Sequence, residues 1–188
     1  MNRARESYGP AGLVLLALVS LAATPARADG DKDDRGIAGA YLTTVLIATG
    51  PGSPPLVNLE HSVFGPGGTL LTEGNLNLGG ANAFVPPPLR VDQLTGYGNW
   101  TMQEHGRIAL TFKRWLFAGS QTPAALFGNA AVGQQVGVNT VQATASVRDG
   151  KIVDGLLTFQ FTNLAGQVVF AGSGTWSAER IAIEPLAN

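Results

Sequence analysis

The chain predicts an all-β fold of about eight mostly antiparallel strands closing into an up-and-down barrel. Three observations predict it. After residue 28, no stretch carries the apolar spacing of an amphipathic helix. Short runs rich in Thr, Val and aromatic residues recur between glycine-bearing turns. Within those runs apolar and polar residues alternate, which gives each strand one apolar and one wet face.

Strands are expected near 38–48, 56–64, 69–78, 97–103, 107–117, 132–148, 152–162 and 167–183. The turns between them have physical causes. Gly65-Pro66-Gly67-Gly68 offers positions that accept positive φ, and Asp149-Gly150 is a strong hairpin signal. Glu104-His105-Gly106 and Asn163-Leu164-Ala165-Gly166 each suit a tight connection.

Alternation assigns the faces. Over 69–78, Leu70, Thr72, Gly74, Leu76 and Leu78 oppose Glu73, Asn75 and Asn77. Over 107–117, Ile108, Leu110 and Phe112 oppose Arg107, Thr111 and Lys113. Over 152–162, Val153, Leu157, Phe159 and Phe161 oppose Asp154, Thr158 and Gln160. Over 56–64, His61 shares the apolar parity of Val57, Leu59 and Val63, which points it inward. The strand over 132–148 changes phase, from even valines to Val141, Ala143, Ala145 and Val147, so a bulge is expected near Asn139 and Thr140.

Closure into a barrel removes the exposed edges that an open sheet would present. A two-sheet sandwich is the alternative. An outer-membrane barrel fits less well, because aromatic residues are only 7% and fall on the regular faces rather than in girdles.

The amino terminus reads as a Sec-type signal peptide. Arg3 and Arg5 are basic, Ala11 to Ala23 is apolar, and Ala26-Arg27-Ala28 is a small-x-small cleavage site. The expected organisation is a signal over 1–28, a charged flexible tail over 29–36 and one barrel domain over 37–184. The expected location is the bacterial periplasm or the exterior, with no stable membrane insertion once the signal is removed. Arg3, Arg5 and Arg27 leave with the signal, as does Glu6, so nine basic and twelve acidic groups remain. With no basic cluster, nucleic acid is not an expected partner. Zero cysteines exclude disulfides, thiolate metal sites and a cysteine nucleophile.

Catalytic patterns are missing. Asp29-x-Asp31-x-Asp33 has a calcium-loop spacing, but Asp34 and Ala40 stand where the loop needs Gly and Glu. Gly172-Ser173-Gly174 lacks the spacing of a nucleophile elbow. The two histidines do not make a zinc site, and no metal or cofactor is expected. His105 reads as an exposed turn residue. Lys113-Arg114-Trp115 falls where the alternation of its strand fades; a solvated bend is expected, with one of the cations turned to the barrel mouth as the alternative. The long connections 79–96 and 118–131 carry Phe84, Val85, Leu89, Leu126 and Phe127, which suit either a cap over the mouth or an oligomer contact.

Gly39-x-Tyr41, Ser62-Val63-Phe64-Gly65-Pro66-Gly67-Gly68-Thr69, Gly98-x-Trp100 before Arg107-Ile108, and Gly172-x-Gly174 before Arg180-Ile181 span most of residues 37–183. With these, the chain resembles small, exported, functionally uncharacterised bacterial proteins with a lipocalin-like or allene-oxide-cyclase-like barrel of the calycin type. In lipocalins an Arg from the last strand packs over a Gly-x-Trp on the first; here the first strand carries Gly39-Ala40-Tyr41.

Barrels of this size can hold one small ligand. The leading expectation is therefore an exported barrel that binds a small apolar molecule, with Tyr41, His61, Trp100, Phe112 and Trp176 as its wall. A cyclase- or isomerase-type enzyme with a mainly apolar pocket and a filled interaction scaffold are the alternatives.

Overall fold

The computed structural model describes residues 36–49, 51–74 and 89–182. The expected signal over 1–28, most of the charged tail, and Leu76, Leu78, Phe84 and Val85 lie outside the described residues.

Among the described residues nine strands form in chain order: β1 (Gly39–Ile47), β2 (Leu56–Phe64), β3 (Thr69–Gly74), β4 (Val91–Gln93), β5 (Gly96–Gln103), β6 (Arg107–Ala118), β7 (Gln135–Arg148), β8 (Lys151–Asn163) and β9 (Val168–Arg180). All pairings are antiparallel. β9 returns to β1, and β6 pairs with β7 along its length, so the sheet closes into a barrel. β4 and β5 lie end to end on the other edge of β6, against Leu116–Ala118 and Arg107–Lys113 respectively. The barrel thus has eight positions, one of them filled by an interrupted strand. β4 falls inside the expected 79–96 loop.

The two ends are built differently. One end, the base, has tight turns at Gly65–Gly68, Glu104–Gly106 and Asp149–Gly150. The other, the mouth, has the longer connections together with the tight Asn163–Gly166 turn. At the base, Asp149 and Gly150 have φ of 51° and 74°, the signs of a type I′ turn, whose twist matches the flanking strands. His105 sits in its turn at φ 61° and is exposed, as expected.

Apolar inward residues pack the base. Tyr41, Phe64 and Trp100 stack edge to face, with ring centroids 5.2 Å and 6.0 Å apart. Ile37, Ile108, Ala145, Ile152 and Ala178 are buried in the same core. The Trp100 indole donates to the Gly65 carbonyl at 3.1 Å, so its polar atom is satisfied. Arg180 lies over the Tyr41 ring at 5.4 Å and donates to the Gly36 carbonyl at 2.6 Å.

Four expectations need correction. The inner face of β2 is Asn58, Glu60, Ser62 and Phe64, whereas Val57, Leu59 and Val63 are 50, 44 and 43% exposed and His61 is exposed beside them. Phe64 fixes this parity. Its ring belongs to the base stack, and it pairs with Leu70 across the Gly65–Gly68 turn. A strand with one residue placed inward has all its others assigned by the period of two.

The bulge in β7 is at Val136, three residues before the expected place. Leu116 pairs with Gly137 and Phe117 with Gln135, leaving Val136 as the extra residue. A second bulge interrupts β8, where Asp154 takes φ 53°. Ile152, not Val153, is therefore the buried partner of Leu157 on the inner face.

Finally, β6 does not lose its phase. Phe112, Arg114, Leu116 and Ala118 are all buried, while Lys113 and Trp115 are exposed. Arg114 is an interior residue rather than part of a solvated bend. At the mouth the short helix α1 (Ala124–Phe127) rests against the barrel, with Phe127 buried and the Leu126 carbonyl accepting from Asn163 at 3.0 Å. Leu89 is also fully buried, so these apolar residues of the expected loops pack on the domain itself.

Candidate functional site

Above the packed base, the interior opens into a cavity of about 70 Å³, counted as room for water centres. One water needs about 10–15 Å³ in that measure, so the space suits several waters or one compact molecule. Most of its wall is apolar. Val45 and Ile47 come from β1, Leu110 and Phe112 from β6, Val141 and Ala143 from β7, and Leu157, Phe159 and Phe161 from β8, with Trp176 from β9.

One side of the cavity is polar, and its residues come from β2, β3, β4, β6 and β7. Arg114 Nη2 meets Glu60 Oε1 at 2.9 Å and donates to Thr72 Oγ1 at 2.7 Å. Asn58 Nδ2 donates to the same Glu60 oxygen at 2.6 Å. Asn139, the cross-strand neighbour of Arg114, donates through Nδ2 to Gln93 Oε1 at 2.9 Å. Thr43 donates to Ser62 at 2.9 Å close by. Asn58, Glu60, Arg114 and Asn139 are each at most 5% exposed.

Burying this ion pair demands a partner for each charge and space for both side chains. The sequence supplies the space with glycine. A Cβ on Gly96 would come within 2.7 Å of Thr72 Oγ1 and 3.2 Å of Arg114 Cγ. A Cβ on Gly74 would lie 2.9 Å from Glu60 Cγ. Arg114 therefore runs along the inner wall over β5 and β3 to reach β2. Its guanidinium also lies 4.9 Å from the Phe112 ring centroid, which joins the polar side to the apolar one.

Among the described residues, three buried side-chain polar atoms have no hydrogen-bond partner: Asn58 Oδ1, Asn139 Oδ1 and Arg114 Nε. All three residues line the cavity. An unmatched buried polar atom costs about 1–3 kcal/mol, so atoms of this kind favour a partner that the side chains alone do not supply.

Of the five wall residues expected from sequence, the structure brings two to the cavity, Phe112 and Trp176. Trp176 is fixed by its indole donating to the Thr144 carbonyl at 3.2 Å. Tyr41 and Trp100 belong to the base, and His61 faces outward. Sequence reading missed Asn58, Glu60 and Asn139, and gave Arg114 only within the alternative that one of Lys113 and Arg114 turns to the barrel mouth. One signal for Arg114 was present: the alternation Ile108, Leu110, Phe112 continues without a break through Arg114, Leu116 and Ala118. An inward Arg then requires an inward carboxylate, and Glu60 shares the parity of Phe64.

Among the described residues no group of three or more His, Asp or Glu side chains is placed to hold a metal ion. None of the protein-family models, curated proteins or solved structures compared with the chain matches it.

Proposed function

We propose that this protein is an exported binding barrel that holds one compact small molecule, apolar over most of its surface, in the cavity at its mouth. The carrying observation is the cavity itself: an apolar wall joined to a polar side whose buried atoms are not all paired. Small barrels ordinarily fill their interiors with side chains, as the base does here. A filled scaffold would have no reason to keep Asn58, Arg114 and Asn139 partly unmatched in its core. The placement of Arg180 over Tyr41 of Gly39-x-Tyr41 supports the calycin-type resemblance, and residues 1–28 support export.

Native mass spectrometry of protein purified from its source tests the reading. A bound mass that is released on denaturation is expected. Absence of any bound mass, together with no binding of toluene by refolded protein, would return the barrel to a filled scaffold.

Glu60 favours a second reading. A carboxylate held on the cavity wall by Arg114 and Asn58 suits a cyclase- or isomerase-type enzyme acting on the bound molecule. Conversion of the retained molecule, rather than its unchanged recovery, separates the two.

A further inference from the structure

We infer that the cavity selects an uncharged head group bearing both hydrogen-bond donors and an acceptor, with a primary amide as the best match. This rests on the ligand-binding reading and specifies the chemistry of what is bound.

The first argument is charge. Among the described residues, Glu60 and Arg114 are the ionisable side chains on the cavity wall, and they pair at 2.9 Å. The polar side is therefore neutral in sum. A carboxylate drawn to Arg114 would lie beside Glu60 and leave two anions sharing one cation in a buried space. An ammonium drawn to Glu60 would leave the opposite imbalance. Neither ion gains what an uncharged head gains there.

The second argument is the inventory of unpaired atoms. The amide nitrogens of Asn58 and Asn139 are engaged by Glu60 and Gln93, which leaves both Oδ1 atoms without a donor. Arg114 Nε–H lacks an acceptor. The residues of the cavity wall thus hold two unpaired acceptors and one unpaired donor, all three buried until a head group moves the side chains over them. A primary amide brings two N–H donors and one carbonyl acceptor, the complementary count. A hydroxyl brings one donor and can accept. A carboxylate brings acceptors alone, which would set oxygen against the two Asn oxygens. An ammonium brings donors alone and leaves Arg114 Nε unmet.

The third argument is placement. Phe112 links the two sides of the wall, because its ring lines the cavity while lying under the Arg114 guanidinium. A ring carried on the head group meets Phe112, Val141, Phe159 and Trp176 on the apolar side.

A matched series tests this: toluene, benzyl alcohol, benzamide, benzoate and benzylammonium, titrated calorimetrically into wild-type protein at pH 7. Benzamide should bind at least about tenfold more tightly than benzoate or benzylammonium, with benzyl alcohol between. Asn58→Leu and Asn139→Leu should each reduce the preference for benzamide over toluene. Glu60→Gln should raise benzoate affinity relative to benzamide, because Arg114 is then the uncompensated charge. If benzoate binds wild type as tightly as benzamide, or benzamide no better than toluene, the head-group inference is overturned while the cavity remains a binding site. If none of the five binds, both readings fall. The wild-type series decides the matter even where a variant does not fold.

Discussion

The base and the mouth of this barrel use the same inward positions of the same strands and fill them differently. At the base, Tyr41, Phe64, Trp100, Ile108 and Ile152 pack against one another, and the indole of Trp100 finds its acceptor in the Gly65 carbonyl. Towards the mouth, Asn58, Glu60, Arg114 and Asn139 occupy equivalent inward positions and leave space between them. β2 crosses from one regime to the other within seven residues, from Asn58 to Phe64. The base is packed and apolar, whereas the mouth end carries a buried ion pair and unpaired amide oxygens. On the proposed function, stability and recognition are assigned to opposite ends of one core.

The largest expected effects test that division. Trp100→Ala should destabilise the protein by about 3–5 kcal/mol in urea unfolding, since it removes the centre of the packed base. A loss below about 1 kcal/mol would mean the base is not the anchor. Arg114→Met leaves Glu60 buried without its cation and should also cost about 3–5 kcal/mol. Adding Glu60→Met should recover most of that loss, because replacing a whole buried pair by apolar residues is often neutral. Such recovery, with benzamide selectivity abolished, would show that the pair serves recognition rather than folding.

A smaller effect is expected at the base turn. Gly150→Val places a β-branched residue at φ 74° and should cost about 1 kcal/mol or more. The decrease should appear as a lower melting temperature. An unchanged melt would mean that the turn does not set the β7–β8 pairing. The smallest effect belongs to His61→Leu. Exposed on the outside of β2, His61 should change stability by no more than about 0.5 kcal/mol and leave binding to the cavity unaltered. A loss of cavity binding in this variant would return His61 to the interior.

How legible the fold was in the sequence follows from the same contrast. The strands, the Asp149-Gly150 turn and the inner faces of β3 and β6 up to Phe112 follow local rules of alternation and turn chemistry. At the base those rules place Ile108 inward correctly but put Phe64 and Ile152 on the outer face. At the cavity they fail more widely. Alternation assigns polar residues outward, and on β2 it selects Val57, Leu59, His61 and Val63 over Asn58, Glu60 and Ser62. The choice is reversed by contacts distant in sequence, above all Glu60 with Arg114 and Asn139 with Gln93. Phe112 and Trp176 were found because they are apolar wall residues. The polar side was hidden because its members are satisfied only by one another, across strands that the sequence does not place side by side. The bulges at Val136 and Asp154 are similarly set by pairing across the sheet.

Methyl-detected NMR with benzamide added to the wild-type protein tests the division of the core most directly. Both regions carry methyl groups: Ile37, Ile108 and Ile152 at the base, and Val45, Val141 and Leu157 on the cavity wall. Intermolecular nuclear Overhauser effects should connect the benzamide ring to Val45, Val141 and Leu157 and leave the three base isoleucines untouched. Contacts to Ile37, Ile108 or Ile152, or contacts confined to the outer Val57, Leu59 and Val63, would contradict an interior divided into an anchoring base and a receiving mouth.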